Sequence, residues 1–287
     1  APVRFTMKTI WTPILVITIG LVCNSITYAQ DGKYSIATWN IRYNNPGDGP
    51  NAWPNRKDLV AGQIARENPS VICLQEVLKD QLDDLTALLP DYSYTGLGRD
   101  DGKEKGEYVP IFFKKELFSL IRTDHFWLSE QPSVPGILGW DAVCPRMVTW
   151  VCLQDRQTGD TLFVFNTHFD HVGKQARKLS AKLIATFADS LAGNHSQIIA
   201  GDFNSLPSGE AYEKLVEFSY RDSRTDSQKA PIGPEYTFTG FDSTKPPGGR
   251  IDYLFTKNIP KIISYQVFDD RSGIYYHSDH LMVAIRF

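Results

Sequence analysis

Short apolar runs that are typical of β-strands alternate along the chain with longer segments that have the spacing of amphipathic helices. Two of the runs, residues 148–153 and 161–166, flank Thr158-Gly159-Asp160, a turn sequence that predicts a β-hairpin. Strands are predicted at residues 34–41, 71–77, 109–113, 148–153, 161–166, 197–200, 251–256, 261–268 and 281–287.

Helices are predicted between these strands. The clearest is residues 173–192, where an apolar face is predicted. Its residues are Leu179, Leu183, Phe187 and Leu191, which recur every four residues, joined by Ala176 and Ile184. Strands mixed with helices, in an order that allows both hairpins and crossovers, favour an α/β domain with two sheets packed together and helices outside. The other predicted helices are residues 56–68, 82–89 and 210–218.

Residues 1–29 have the pattern of a signal peptide. Lys8 precedes an apolar run, and the small residue Ala29 marks a cleavage site. The run is shorter than the roughly 20 apolar residues that a membrane-spanning helix needs. We therefore expect residues 1–6 to be upstream sequence and cleavage to follow Ala29. Two alternatives stay open, a retained membrane anchor and a lipoprotein attached through Cys23.

Residues 30–287 are expected to form a single monomeric domain, periplasmic or secreted, with no stable membrane insertion. Hydrophobic residues at 42% and aromatic residues at 12% suffice for a packed core, and no repeat or linker divides it. Without the two signal-peptide cations, 28 Lys and Arg face 33 Asp and Glu, a net charge of −5. Nucleic-acid binders usually present a basic face, so this balance disfavours a nucleic-acid substrate but leaves it open.

Three cysteines belong to this domain. Cys73 lies in an apolar run and is interpreted as a small core residue. Cys144 and Cys152 would be able to pair in an oxidising compartment, and the sequence leaves this disulfide open.

Polar residues of metal-binding types stand where several predicted strands end or begin. Enzymes commonly carry their binding residues on loops that a rigid scaffold holds in place. We therefore expect these strand ends to meet at one rim of the sheets. In chain order the residues are Asn40, Glu76, His168 with Asp170, Asp202 with Asn204, Asp252, and Asp279 with His280.

Each cluster alone is a weak signal, because a carboxylate after a strand is usually a surface group and Gly-Asp-x-Asn is usually a turn. The ordered series of six is far more specific. Over residues 34–287 it resembles the endonuclease/exonuclease/phosphatase superfamily, also called DNase I-like. The series is Trp39-Asn40-Ile41, Gln75-Glu76, Asn166-Thr167-His168, Gly201-Asp202-Phe203-Asn204, Arg250-Ile251-Asp252-Tyr253 and Ser278-Asp279-His280.

The resemblance implies a four-layered α/β sandwich, in which two central mixed sheets are flanked by helices. Members of the superfamily cleave phosphodiesters in DNA and RNA, phosphoinositides and sphingomyelin. The stretch from Asn166 to His171 is most similar to the bacterial secreted members and to the deadenylase-like branch.

The predicted cofactor is Mg²⁺, with Mn²⁺ as an alternative, because hard cations prefer carboxylate, carbonyl and water oxygens. Glu76 is the main expected ligand, with Asn40 and Asp279 in support, and the resemblance implies the same assignment. Such an ion stabilises charge on the phosphoryl oxygens and the leaving group. Whether one or two ions bind stays open, since Arg42 stands where many nuclease members carry an acidic or amide residue.

Five residues are expected to act on the substrate. Asp252 orients His280 by accepting a hydrogen bond from one imidazole nitrogen. Asp202, with Asn204 in a positioning role, is the candidate that deprotonates the attacking water. His280 is the alternative base, and the sequence does not decide between the two. His168 donates to a phosphoryl oxygen as negative charge develops there.

Five further residues are predicted to bind substrate or to shape the pocket. Arg42 and Arg146 bring positive charge to a substrate phosphate. Tyr108 is assigned a phosphate contact by the resemblance. Asp170 and His171 shape the pocket or bind a second metal, with solvated loop residues as the alternative.

Three hypotheses for the function follow. The first is a metal-dependent phosphodiesterase or phosphatase that uses a Mg²⁺-activated water on a small-molecule or lipid-linked phosphate ester. The second is a secreted nuclease that cleaves DNA or RNA by the same chemistry. The third is a non-catalytic phosphate-binding module on the same fold, and the intact set of acidic and histidine residues argues against it.

Overall fold

The fold is that of a computed structural model, which describes residues 32–242, 244, 248–273 and 275–287. The predicted signal peptide, its cleavage point and Cys23 lie outside these residues. Within the described ranges, no helix combines the length and the apolarity that a membrane crossing needs.

The strands of the described residues form two six-stranded sheets and one short hairpin. The strands are β1 (Ser35–Asn40), β2 (Val71–Gln75), β3 (Tyr92–Thr95), β4 (Ile111–Lys114), β5 (Phe118–Trp127), β6 (Met147–Asp155), β7 (Thr161–His168), β8 (Ser196–Asp202), β9 (Arg221–Asp222), β10 (Asp252–Lys257), β11 (Ser264–Phe268), β12 (Arg271–Ser272), β13 (Tyr275–Tyr276) and β14 (Met282–Arg286).

Strand order is β11-β14-β1-β2-β4-β3 in the first sheet and β5-β6-β7-β8-β10-β9 in the second. Both sheets are mixed, because β1 with β2 and β7 with β8 are parallel pairs among antiparallel neighbours. The predicted hairpin is confirmed, since β6 and β7 pair in antiparallel register. The helices are α1 (Trp53–Glu67), α2 (Lys79–Leu88), α3 (Lys174–Ala192), α4 (Glu210–Glu217) and α5 (Ser223–Asp226), with a 3₁₀ helix at Pro46–Asn51.

The core has three apolar layers. Between the sheets, residues of the first such as Ile36 and Val283 pack with residues of the second such as Ile198. Helices α1 and α2 cover the outer face of the first sheet, and α3 and α4 cover that of the second. Burial of apolar surface on both faces of each sheet is the main stabilising contribution to this arrangement. The predicted four-layered α/β sandwich is thereby confirmed.

Helix α3 buries only part of the predicted face, namely Ala176 and Ile184. The leucine stripe that begins at Leu179 is only half-buried, whereas Ala181, Ile184 and Ala185 are fully buried against the second sheet. Small alanine side chains allow the helix backbone to lie close to the aromatic residues of that sheet. Phe187, on the half-buried stripe, stacks on Phe126 at the sheet edge with ring centroids 4.4 Å apart.

Three strands of the sheets were not predicted, namely β3, β5 and the two-residue β9. Strand β5 lies at the edge of the second sheet, its middle residues are exposed, and its register shifts between Leu120 and Arg122. A bulge and a charged, exposed centre remove the alternation by which an edge strand is recognised.

Cys73 is buried in the core as predicted. Cys144 and Cys152 are free thiols, so the disulfide that the sequence left undecided is not formed.

A buried polar seam crosses between the two sheets. Gln75 of β2 donates to Asn166 of β7 at 2.7 Å, and Asn166 in turn donates to the carbonyl oxygens of Leu74 and Pro110 at 2.8 Å. Neither Gln75 nor Asn166 is exposed. Leaving a buried polar group unpaired costs about 1–3 kcal/mol, so this seam holds the sheets in one relative register.

The strand ends meet at one rim, as predicted. Asn40 ends β1 beside the end of the parallel strand β2, and His168 ends β7 opposite Asp202 at the end of the parallel strand β8. Asp252 begins β10 opposite the same Asp202, because these two strands are antiparallel. The seam therefore lies directly beneath the polar residues that the sequence singled out.

Arg250, two residues before Asp252, anchors the start of β10. Its guanidinium makes a two-point pair with the Asp222 carboxylate, at 3.0 and 2.7 Å, and lies over the Tyr253 ring. Both charged side chains are at least nine-tenths buried. Removal of one partner would leave an uncompensated buried charge.

We therefore predict that Arg250→Met lowers the free energy of unfolding by about 3–5 kcal/mol, measured by urea denaturation. The control is Arg66→Met, since Arg66 is half exposed and its pair with Asp270 is a surface pair. Its loss is expected to stay below about 1 kcal/mol. Equal losses in the two variants would contradict the anchoring role of Arg250.

Candidate active site

Glu76 and Asn40 form one end of a pocket of about 480 Å³ at the rim. Glu76 follows β2 with a left-handed backbone φ of 58°, a conformation that is uncommon for residues other than glycine. Its Oε1 accepts from Asn40 Nδ2 at 3.0 Å, and its Oε2 accepts from the Tyr43 amide at 3.2 Å. The carboxylate is therefore held from two sides.

Asp279 shares this end of the pocket, and Arg42 lies across both carboxylates. The Arg42 guanidinium is 3.9 Å from Glu76 and 4.0 Å from Asp279, and it also makes a two-point pair with Asp48. Burial raises the pKa of Asp279 to about 6, with nearby His280 opposing the rise and the Glu76 charge adding to it. Asp48 thereby fixes the Arg42 guanidinium at the wall of the pocket.

This end of the pocket fits a hard divalent cation. Glu76 and Asp279 offer carboxylate oxygens, which Mg²⁺ prefers. Asn40 turns its Nδ2 toward Glu76, and its Oδ1 accepts from the Arg42 amide at 3.0 Å. Burial raises the pKa of Asp279 and the Glu76 charge adds to the rise, so a bound cation would favour the charged form of Asp279. The three residues predicted as ligands are thus brought together.

Asp252 and His280 form a buried pair beside this end. His280 Nδ1 lies 2.9 Å from Asp252 Oδ2, and Asp252 is fully buried. Burial by itself lowers the pKa of His280, but the Asp252 and Asp202 charges outweigh burial and raise it well above its usual value. His280 is therefore an imidazolium near neutral pH, oriented by Asp252 as predicted.

Asp202 lies at the centre of the site. Its Oδ2 is 3.1 Å from Asn40 Nδ2, 3.5 Å from His168 Nε2 and 3.6 Å from His280 Nε2. Burial and the neighbouring Asp252 charge raise the pKa of Asp202 to about 7, with His280 opposing the rise. A carboxylate with a pKa near the working pH is suited to general base catalysis.

Asp202, Asp252 and His280 also place ligand atoms within 4.8 Å of one another, the spacing of a metal site. We assign the cluster to acid–base chemistry instead. An imidazolium repels a cation, and the Asp252 oxygen nearest to His280 is already engaged in their hydrogen bond.

Asn204 positions both Asp202 and His168. It has a left-handed φ of 46°, its amide N–H donates to Asp202 Oδ1 at 2.9 Å, and its Nδ2 lies 3.0 Å from His168 Nε2. The same Nδ2 donates to the carbonyl of Phe169, so His168 Nε2 is the acceptor of this contact. Burial, with help from Arg146, lowers the pKa of His168 well below its usual value, so the ring is neutral with its proton on Nδ1.

One predicted substrate contact, Tyr108, is wrong, and Asp170 shapes the pocket, which is one of the roles predicted for it, without lining it. The Asp170 carboxylate is buried and accepts the backbone amides of Val143, Cys144, Val172 and Gly173, so it joins two loops and does not face the pocket. The Tyr108 side chain is buried among apolar residues beneath α1 and α2, and its hydroxyl donates to the Lys103 carbonyl. In both cases the backbone uses the polar atoms that the prediction assigned to substrate.

Arg146 and His171 do line the pocket, together with two charged residues that the prediction missed, Arg99 and Glu107. Arg99 and Glu107 pair at 2.6 Å, and Glu107 approaches His168 Nδ1 at 3.9 Å. Burial raises the pKa of Glu107 despite the nearby Arg99 charge. Both come from a loop without apolar periodicity, and the only signal was the position of Glu107 next to Tyr108.

The chain belongs to the endonuclease/exonuclease/phosphatase family, because the model of that family matches residues 37–280. Members of this family are hydrolases that act on phosphate esters. The matched region contains every residue described above as part of the pocket.

Two solved structures from Bacteroides share the fold over nearly their whole length. An endonuclease/exonuclease/phosphatase of Bacteroides vulgatus is 38% identical, with a TM-score of 0.84, over 88% of this chain and 97% of that one. A mannosyl-6-phosphatase of Bacteroides thetaiotaomicron is 33% identical, with a TM-score of 0.83, over 88% of this chain and 98% of that one.

Curated relatives match over a smaller part of their length. The carbon catabolite repressor protein 4 homolog 5 of Arabidopsis thaliana is 28% identical over 198 residues, 64% of this chain. That match spans 42% of the Arabidopsis protein. A second relative, an uncharacterized protein of Acanthamoeba polyphaga mimivirus, is 30% identical over 53% of this chain and 59% of its own length. The chain therefore covers only about half the length of these relatives.

We predict opposite charge states for the two central histidines in protein stripped of metal with EDTA. At pH 6.5 the raised pKa of His280 keeps its ring protonated, and the lowered pKa of His168 keeps its ring neutral. Asp252→Asn removes the nearest negative charge and is expected to lower the pKa of His280 without an equal change at His168. NMR titration of the ring resonances measures this, and two ordinary titrations near pH 6.5 would contradict it.

Proposed function

We propose that the protein is a Mg²⁺-dependent phosphoric ester hydrolase that uses a water molecule as nucleophile. The observation that carries the proposal is that a carboxylate end, with Glu76, Asp279 and Asn40, directly adjoins the acid–base cluster of Asp202 and His280. A bound Mg²⁺ supplies charge stabilisation to the phosphoryl group and its leaving oxygen. Mn²⁺ is the expected substitute, since it accepts the same oxygen ligands.

The residues of the acid–base cluster divide the work by their protonation states. Asp202 takes the proton of the attacking water, because its raised pKa makes it a competent base near neutral pH. His280 is already protonated and donates from Nε2 to a phosphoryl oxygen, while Asp252 holds the ring through Nδ1. Asn204 and Asn40 keep Asp202 in place by donating to its two oxygens. His168 Nε2 carries no proton, so the predicted donation from His168 to the phosphoryl oxygen is not made from that atom. This choice of Asp202 as the base goes beyond what the sequence decided.

The substrate class that we propose is a small phosphate ester. The pocket volume of about 480 Å³ lies within the usual range for sites that enclose a small molecule. The mannosyl-6-phosphatase of Bacteroides thetaiotaomicron is 33% identical to this chain and matches over almost its whole length. This similarity supports a sugar phosphate or a similar polar ester as the substrate. The acidic balance of the domain points the same way.

A nuclease is the second candidate, favoured by one observation. The curated matches include a probable RNA exonuclease of Schizosaccharomyces pombe, 26% identical over 54% of this chain. That match covers 31% of the yeast protein, so it supports the shared chemistry more than a shared substrate.

We predict that Glu76→Ala and His280→Ala each lower kcat/KM for a generic aryl phosphate by at least about a hundredfold in Mg²⁺, because each removes charge stabilisation. Asp252→Asn is expected to cost less than His280→Ala, since it removes orientation and retains the ring. The controls are Asp83→Ala and His195→Ala, which alter exposed residues. EDTA is expected to abolish activity in wild type. Undiminished hydrolysis in both site variants would refute the proposed site.

A panel of substrates separates the two candidates. We expect sugar and glycerol phosphates to be hydrolysed at least tenfold more efficiently than single-stranded RNA or DNA, measured as kcat/KM at several salt concentrations. A nuclease that follows phosphates loses affinity steeply as salt rises. Preferred cleavage of nucleic acid, with that steep salt dependence, would replace the first candidate by the second.

A further inference from the structure

The end of the pocket opposite Glu76 and Asp279 contains a buried arginine with unused donors. Arg146 immediately precedes β6 and is only 5% exposed. Its Nε and Nη1 have no hydrogen-bond partner among the described residues, and its Nη2 lies 3.1 Å from His171 Nδ1. Two of its three nitrogens are thus buried without an acceptor.

The nearby carboxylates do not satisfy this arginine, because both are already used. Asp170 Oδ2 is 3.7 Å from Arg146 Nε, too far for a hydrogen bond, and it accepts two backbone amides instead. Glu107 pairs with Arg99 at 2.6 Å. Arg146 therefore has a compensating charge nearby but no bonded acceptor.

Further unused donors border the same space. Arg99 lines the same pocket of about 480 Å³ as Arg146, and its buried Nε also has no partner among the described residues. A side cleft that these arginines share with His168 and Glu107 measures only about 10 Å³, which is room for about one water molecule. A buried charged donor that is left unpaired is unfavourable. Three unpaired guanidinium nitrogens beside the larger pocket indicate an acceptor in that pocket that is not part of the chain.

His168 separates this cleft from the reaction centre. Its Nε2 faces Asn204 and Asp202, at 3.0 and 3.5 Å, whereas its Nδ1 is on the side of Glu107. A phosphoryl group in contact with Asp202 and His280 lies on the Nε2 side. An acceptor for Arg146 and Arg99 lies in the main pocket, beside His171.

We propose that Arg146 and Arg99 form a second anion-binding subsite in the pocket, which holds an oxyanion of the substrate other than the phosphoryl group that is cleaved. This inference rests on the proposed function and specifies its substrate as a phosphate ester with a second anionic group. The planar guanidinium of Arg146 can donate two parallel hydrogen bonds, which matches a carboxylate or a second phosphate.

The test uses matched, non-hydrolysable probes. Phosphonoacetate, 3-phosphonopropionate and 4-phosphonobutyrate each carry a phosphonate and a carboxylate, and ethyl-, propyl- and butylphosphonate lack the carboxylate. Calorimetric titration in Mg²⁺ gives the ratio of Kd values within each pair. We expect at least one carboxylate probe to bind wild type at least tenfold more tightly than its alkyl partner.

Variants assign that preference to the subsite. Arg146→Gln is expected to reduce the preference at least fivefold, and Arg146→Lys, which keeps the charge but not the planar fork, to give an intermediate ratio. Arg122→Gln is the control, since Arg122 is an exposed arginine on β5 and is expected to leave the ratio unchanged. A wild-type ratio below two for all three lengths, or an equal ratio in Arg146→Gln, would overturn the subsite. The wild-type ratio decides even when a variant fails to fold.

The same titration separates this inference from the proposed function. Phosphate-ester hydrolysis with a ratio near one would leave the proposed function in place and remove the subsite. The opposite result is a high ratio of Kd values that Arg146→Gln lowers, together with no hydrolysis of any phosphate ester. It would leave the subsite in place and remove the proposed function.

Discussion

The architecture of the site depends on hydrogen bonds that cross from one sheet to the other. Asn40, at the end of β1 in the first sheet, donates both to Glu76 and to Asp202, at the end of β8 in the second sheet. The bond from Gln75 to Asn166 repeats this crossing one layer deeper. Because these groups are buried, a relative shift of the sheets would leave several of them unpaired, at about 1–3 kcal/mol each. The apolar core brings the sheets together, and these bonds select the register that aligns the site.

Within that register, charge is distributed unevenly along the pocket. Glu76 and Asp279 place two carboxylates at one end, where burial, with the Glu76 charge adding to it, raises the pKa of Asp279. Arg99 and Arg146 concentrate unused donors at the other end. Between them lie Asp202, proposed as the base, and His280, proposed as the donor, and the pKa values of both are raised. The proposed cation and anion sites thus lie on either side of the acid–base pair.

The loops around this centre are shaped mainly by backbone hydrogen bonds. Asp170 joins the loop before β6 to the loop before α3 by accepting amides from both. It thereby fixes the wall that presents Cys144, Arg146 and His171 to the pocket. Arg250 has a comparable role at the start of β10, where its pair with Asp222 anchors the segment that leads to Asp252. These residues act on the substrate only through the residues that they position.

Much of the fold and of the reaction centre was determined by the sequence alone. Apolar patterns with the period of a strand or of a helix are local, so they predicted β1, β2, β7 and α1 within a few residues. The six ordered polar clusters predicted the residues proposed to bind the metal and those proposed for acid–base chemistry. The tertiary structure decided which partner each polar atom has. Asp170 and Tyr108 were expected at the substrate but are taken up by the backbone, whereas Glu107 and Arg99 reach the pocket from a loop without periodicity. Residues distant in the chain compete for each buried donor and acceptor, and that competition leaves no mark on the local pattern.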